Sequence, residues 1–145
     1  MLGAVLAKRE VVKGFERIGR HDLDGVVEAF HDDAVLEFPG DTVMSGRFEG
    51  KEEIRAWFTR WFDQMKEVSF RPQHIAVENI FAMGPTNSVL IEWEVDERNQ
   101  QGTPYHLTGV TAFDIVGGKI QRAKEYIFDQ DVLAEAWPAK EVATT

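Results

Sequence analysis

Cysteine is absent from this sequence. Its absence excludes disulfides, thiolate catalysis and cysteine-ligated metals together, and it fits a reducing compartment. Net positive charge is lacking too: 16 Lys and Arg face 25 Asp and Glu, a formal charge of -9. Such a chain repels polyanions, so neither nucleic acid nor a membrane surface is an expected partner. No apolar run approaches the roughly 20 residues of a membrane span. The opening MLGAVLAKRE sets no basic stretch ahead of its short apolar run, unlike a secretory signal, so a cytoplasmic location is expected. Histidines number only 4, and no two share one element at ligand spacing, so no metal site is expected. A phosphate-cradling glycine loop is also missing, since Gly117-Gly118 reads as a tight hairpin turn. Nothing in the chain asks for a cofactor.

What remains is the material of one globular domain. With 145 residues, 43% hydrophobic and 28% charged, the chain can bury a core without staples. No repeat, low-complexity tract or linker divides it, so residues 1–145 read as a single domain. The first half reads helical. Val11, Val12, Phe15 and Ile18 recur at helical spacing, and after a capping Asp22 so do Leu23, Val26, Val27 and Phe30. HDDA then interrupts, and its His31, Asp32 and Asp33 read as solvated charge. VLEFPG is a short strand stopped by Pro39. Gly50 opens a third helix, with Glu52 and Glu53 at its N-terminal end, where the helix dipole favours them. Ile54, Trp57, Phe58, Trp61, Phe62 and Met65 form its inner stripe.

The second half reads as strands. QHIAVENIFAM runs to a Gly84-Pro85 turn, and SVLIEWEVDE alternates, with Val89, Ile91, Trp93 and Val95 on one face. YHLTGVTAFDIV, the glycine turn and KIQRAKEYIFD follow, and Asp129 caps a last segment in which Val132, Leu133, Ala136 and Trp137 keep helical spacing. Helices first and antiparallel strands afterwards define an α+β domain with helices on one face of the sheet. On the last strand Ala123, Glu125 and Ile127 share one side with Gln121, while Arg122, Lys124 and Tyr126 take the other. Both faces mix polar and apolar groups, so alternation alone does not say which is buried.

Three stretches carry a resemblance. DLDGVVEAFHDDAVLEFPG, SGRFEGKEEIRAWF and GTPYHLTGVTAFDIVGGKIQRAKEYIFD resemble parts of the nuclear transport factor 2-like superfamily, in its SnoaL-like polyketide cyclase and ketosteroid isomerase-like branches. The likeness covers roughly residues 8 to 137 and so implies a domain core at about 8–137, with a tail at 138–145. It implies that His31, Asp32 and Asp33 lie in a turn leaving the second helix. It implies a cone: a curved, mixed and mostly antiparallel sheet wrapped around three N-terminal helices, with an apolar pocket at the wide end. It also implies a homodimer. The family's functions range over isomerases, cyclases, epoxide hydrolases and dehydratases, beside proteins that only bind. The isomerase residues do not carry over: the tyrosine falls on Phe15, the general base on Phe38 and the oxyanion acid on Gly109. In the epoxide hydrolase branch two carboxylates and an arginine hold a water. Glu125 resembles one carboxylate, and Glu94 and Asp96 are the counterparts of the other, on a stretch without arginine and opposite in face to Trp93.

The resemblance turns Ala123, Glu125 and Ile127 towards the cavity. Among aromatic rings a carboxyl loses solvation and its pKa rises, which suits acid–base work near neutral pH; on the rim it is an ordinary solvated charge. His106 is the second catalytic candidate. Matching to the isomerases sets Leu107 and Gly109 inward and His106 outward, and one residue of slip reverses this. Phe15, Phe38, Trp57, Phe58, Trp61, Trp93, Leu107, Ala123 and Ile127 are the expected substrate-binding wall. The expected function is a cofactor-independent SnoaL-like enzyme of cyclase, isomerase or hydrolase type, acting on a small hydrophobic molecule. The alternatives are a non-catalytic binder and a dimerising accessory domain whose cavity is filled by its own aromatics. An acid–base enzyme needs two or more polar groups converging inward, and this reading supplies one.

Overall fold

In the computed structural model, which describes residues 2–141, the chain runs α1 (Leu2–Gly19), α2 (Leu23–Glu28), β1 (Phe30–Phe38), β2 (Gly46–Glu49), α3 (Lys51–Gln64), β3 (Met65–Val77), β4 (Asn87–Asn99), β5 (Pro104–Val116), β6 (Lys119–Ile127) and α4 (Gln130–Ala136). The six strands form one curved, unclosed sheet in the order β2-β1-β6-β5-β4-β3. β1 and β6 pair in parallel and every other pairing is antiparallel. This is the mixed α+β architecture expected, with α4 added to the three helices of the first half. None of the described helices is long and apolar enough to cross a membrane.

The helices form where the apolar spacing puts them. α1 buries Ala7, Val11, Phe15 and Ile18 along one stripe. Asp22 caps α2, accepting a hydrogen bond from the Gly25 N–H at 3.0 Å. α2 then stops sooner than its spacing predicts: Phe30 already belongs to β1, and His31, Asp32 and Asp33 lie on that strand, not in a turn. The pairing of β1 with β6 shifts register between Phe30 and Val35, so this polar segment bulges out of the ladder.

Two further expectations need correction. β3 starts at Met65, directly after α3, and ends at Val77, so Ile80, Phe81 and Met83 stand exposed in a loop. Pro72 lies within β3 because β3 is an edge strand and its register shifts between Pro72 and His74, where a missing N–H costs no ladder bond. Asp129 occupies the N-cap position of α4 but makes no capping bond. Its carboxylate instead accepts from the N–H and hydroxyl of Thr108, at 2.6 and 2.7 Å, and ties α4 to β5. The start of the tail is also anchored: the Val43 N–H donates to the Pro138 carbonyl at 2.9 Å, and Ala139 bridges to Thr42. Residues 142–145 of the expected tail lie outside the described ones.

The core sits between the helices and one face of the sheet. Val89, Ile91, Trp93 and Val95 of β4, Leu107, Phe113 and Ile115 of β5, and Trp57, Phe58 and Trp61 of α3 belong to one buried cluster. Gly117 and Gly118, at φ +58° and +84°, turn β5 into β6 as the paired glycines predict. That hairpin sets the register that carries Glu125 opposite Thr111.

Candidate active site

A cavity of about 520 Å³ opens within this core, and the nine expected wall residues all line it. α1 supplies Phe15, α3 supplies Trp57, Phe58 and Trp61, and the strands supply the rest. Phe70 of β3 joins them unannounced by sequence: its ring stacks on Phe15 at 4.5 Å and meets Trp93 edge-on at 5.2 Å. The half-buried or exposed side chains of Glu10, Arg17, Glu28 and Lys119 line the same cavity, on α1, α2 and the start of β6.

Glu125 projects into this space from β6, and its geometry is set by a chain of donors. The Trp93 indole N–H, which can only donate, points at the Thr111 hydroxyl at 2.9 Å. Thr111 therefore uses its oxygen to accept and its hydrogen to donate, to Glu125 Oε2 at 2.6 Å. The ionised carboxylate thus accepts at Oε2, while Oε1 has no hydrogen-bond partner among the described residues. Burial disfavours the charged form and raises the pKa to about 7, against the opposing hydrogen bond from Thr111. Glu125 keeps part of its surface accessible even so, and it lines both the main cavity and a shallower cleft beside Phe38 and Tyr126.

Gly109 makes the chain of donors sterically feasible. A Cβ there would collide with the Tyr126 carbonyl oxygen and lie 2.7 Å from Cζ2 of Trp93. The indole crosses the place where an acidic side chain would project, as the pairing of Trp93 with Gly109 requires. The position matched to the isomerases' oxyanion acid is therefore filled by a ring from the neighbouring strand.

The structure does not bring His106 to the cavity. It is exposed on the opposite face of β5, with Nδ1 2.8 Å from Asp96 Oδ1. Leu107 takes the inward place, so the register that turns His106 outward is the one adopted. Glu94 and Asp96 are likewise outside, where Arg71 of β3 pairs with both, at 3.3 and 2.5 Å. An arginine does accompany two carboxylates, but on the wrong face for the epoxide hydrolase arrangement.

Glu97 is the residue sequence reasoning missed. It lines the cavity at only 5% exposure, and its Oε1 accepts from the Trp61 indole N–H at 2.8 Å. Burial raises its pKa to about 7. The signal was present: alternation through Val89, Ile91, Trp93 and Val95 continues inward to Glu97 and Asn99. An acidic residue at the end of an apolar series reads as the point where the series stops. Thr111, fully buried, was legible in the same way from Leu107, Phe113 and Ile115.

With fold and cavity in place, comparison with known proteins identifies the kind of molecule. The SnoaL-like domain family matches residues 11–123. The chain belongs to that family. Among solved structures, Bal32a from a soil-derived mobile gene cassette superposes with a TM-score of 0.78 at 18% identity, covering 93% of this chain and 98% of the other. SalBIII, an epoxide hydrolase/cyclase-like enzyme of pyran ring formation in the polyether salinomycin, gives 0.68 at 23% identity over 84% and 90% of the two chains. TerC, crystallised with polyporic acid, gives 0.73 at 17% over 90% and 97%. At such identities the likeness is one of fold. No curated protein matches the sequence.

Proposed function

We propose that this chain is a SnoaL-type enzyme that works without a cofactor and moves a proton on a small hydrophobic molecule held in the cavity, with Glu125 as the acid–base group. The observation that carries this reading is the constrained carboxyl of Glu125: Oε2 bonded to Thr111, Oε1 without a partner among the described residues, and a pKa raised to about 7. A group so poised is half ionised near neutrality, where a general acid or base is most effective. The aromatic wall supplies binding through apolar burial.

Isotope exchange tests this whatever the natural substrate is. A ketone such as α-tetralone, incubated in D₂O with the protein, should exchange its α-hydrogens faster than in buffer. Glu125→Gln, which keeps the bond from Thr111, should slow that exchange by about 100-fold. Exchange in the wild type at the buffer rate, or undiminished in the variant, removes the catalytic assignment.

A second reading has one observation in its favour. Thr111 is the only polar side chain hydrogen-bonded to Glu125 among the described residues. A binder that performs no chemistry needs nothing more, and it would take up α-tetralone with no exchange above buffer. The homodimer and the cytoplasmic location belong to the same proposal as the enzyme; light scattering that returns the mass of one chain removes the dimer.

A further inference from the structure

The chemistry assigned to Glu125 has no need of Glu97, yet Glu97 stands in the wall of the same cavity. Its two oxygens differ. Oε1 is taken by Trp61, while Oε2 is buried and has no hydrogen-bond partner among the described residues. The residues level with it on the neighbouring strands, Val68 and Tyr105, bring no cation. Anchoring an indole does not explain such a choice. Trp57 donates to the backbone carbonyl of Met44 and Trp93 to the hydroxyl of Thr111, so a neutral acceptor suffices in both cases. Among the described residues only Trp61 is given a carboxyl with a spare oxygen, and a buried polar atom without a partner is costly to keep.

We propose that Glu97 is a ligand-anchoring residue whose free Oε2 pairs with a hydroxyl group carried by the apolar molecule bound in this cavity. Because Oε1 always accepts from Trp61, any proton on the carboxyl sits on Oε2. The neutral acid then donates from Oε2, and the carboxylate accepts there. A hydroxyl pairs with both states. A ketone or ether serves only the first, and an ammonium only the second.

The sheet register sets the shape of the ligand. Ile91 on β4 is level with Thr111, which is level with Glu125, and Glu97 lies six residues further along β4. With about 3.3 Å per residue along the strand and two strand spacings of about 4.8 Å across the sheet, the two positions lie up to roughly 22 Å apart, less the curvature. They therefore address different parts of one ligand: an elongated apolar body with one end at Glu125 and a hydroxyl at the other. This rests on reading the cavity as a ligand site, and not on any catalysis by Glu125.

Calorimetric titration with 4-phenylphenol, its methyl ether and biphenyl tests the anchor. At pH 8 Glu97 is mainly ionised, since burial raises its pKa only to about 7. The phenol should then bind the wild type about tenfold more tightly than the ether, which pairs only with the scarce neutral form. In Glu97→Gln the amide carbonyl keeps the Trp61 bond and the amide N–H donates equally to either oxygen, so the ratio should fall towards one. Matching circular dichroism and melting temperature establish that the variant is folded. The same ratio in both proteins, or no preference in the wild type, overturns the anchor and leaves the cavity a ligand site. If none of the three binds the wild type, the ligand site itself is lost and the proposal with it.

Discussion

Glu125 and Glu97 carry the same side chain and differ in what holds them. Each receives one hydrogen bond, and each is pushed by burial to about 7. The donor to Glu125 is a hydroxyl that can be removed without changing side-chain shape. In Thr111→Val the bond that lowers the Glu125 pKa disappears, while burial remains. The midpoint of any proton abstraction by Glu125 should then move to a pH above about 7, because the base must be ionised to act. The variant also strands the Trp93 indole N–H, for a stability loss of about 1–3 kcal/mol. The pH profile of exchange and a denaturant titration read the two effects separately. An unmoved midpoint would show that Thr111 does not govern the carboxyl.

At the scale of the element, the site depends on the alignment of β4, β5 and β6. Trp93 lies opposite Gly109, and Thr111 opposite both Ile91 and Glu125, so one step of slip on β5 would replace Thr111 by Val110 or Ala112. Gly109 is the position at which this alignment is sterically exposed. Gly109→Ala must displace both the Tyr126 carbonyl of β6 and the Trp93 ring. We expect a loss of about 1–3 kcal/mol in denaturant unfolding, together with a change in tryptophan fluorescence as the ring leaves Thr111. Wild-type stability with an unchanged spectrum would contradict the packing described. The same periodicity explains what was legible beforehand. The inward places of Trp93, Leu107, Ala123 and Ile127 follow from alternation once a face is chosen, whereas β1 absorbed HDDA because its bulge tolerates polar residues that no apolar pattern marks.

The whole molecule has an acidic balance and two carboxyls, Glu97 and Glu125, whose pKa burial raises, and both features bear on its response to pH. In the unfolded chain these two groups titrate near 4.5, and in the folded one near 7. Between those values the folded state holds the extra protons, so the contribution of these two groups to stability is fully present below about 4.5 and is lost as pH rises through about 7. The decline should reach about 3 kcal/mol per carboxyl at most. Denaturant unfolding at pH 5.5 and pH 8 should show it in the wild type and much less in a variant carrying both Glu97→Gln and Glu125→Gln. Parallel behaviour of the two proteins would mean that neither carboxyl is protonated by folding. The comparison with the variant cancels the general repulsion of a chain at -9.

Local rules acting over a few residues determined a large part of this protein in advance. Helical spacing predicted Ile54, Trp57, Phe58 and Trp61 in the stripe of α3, though Met65, expected there too, begins β3; the cap of α2 came from Asp22, and two adjacent glycines made the β5–β6 turn. These features depend on neighbours in the chain, and a sequence records such neighbours directly. Tertiary structure decided which face of β6 is enclosed, that His106 stands outside, and that Glu97 joins Glu125 in one cavity. It also decided that Asp129 binds Thr108 instead of capping α4. Each of these outcomes turns on register between strands far apart in sequence, and register is set by the packing of the assembled sheet against its helices.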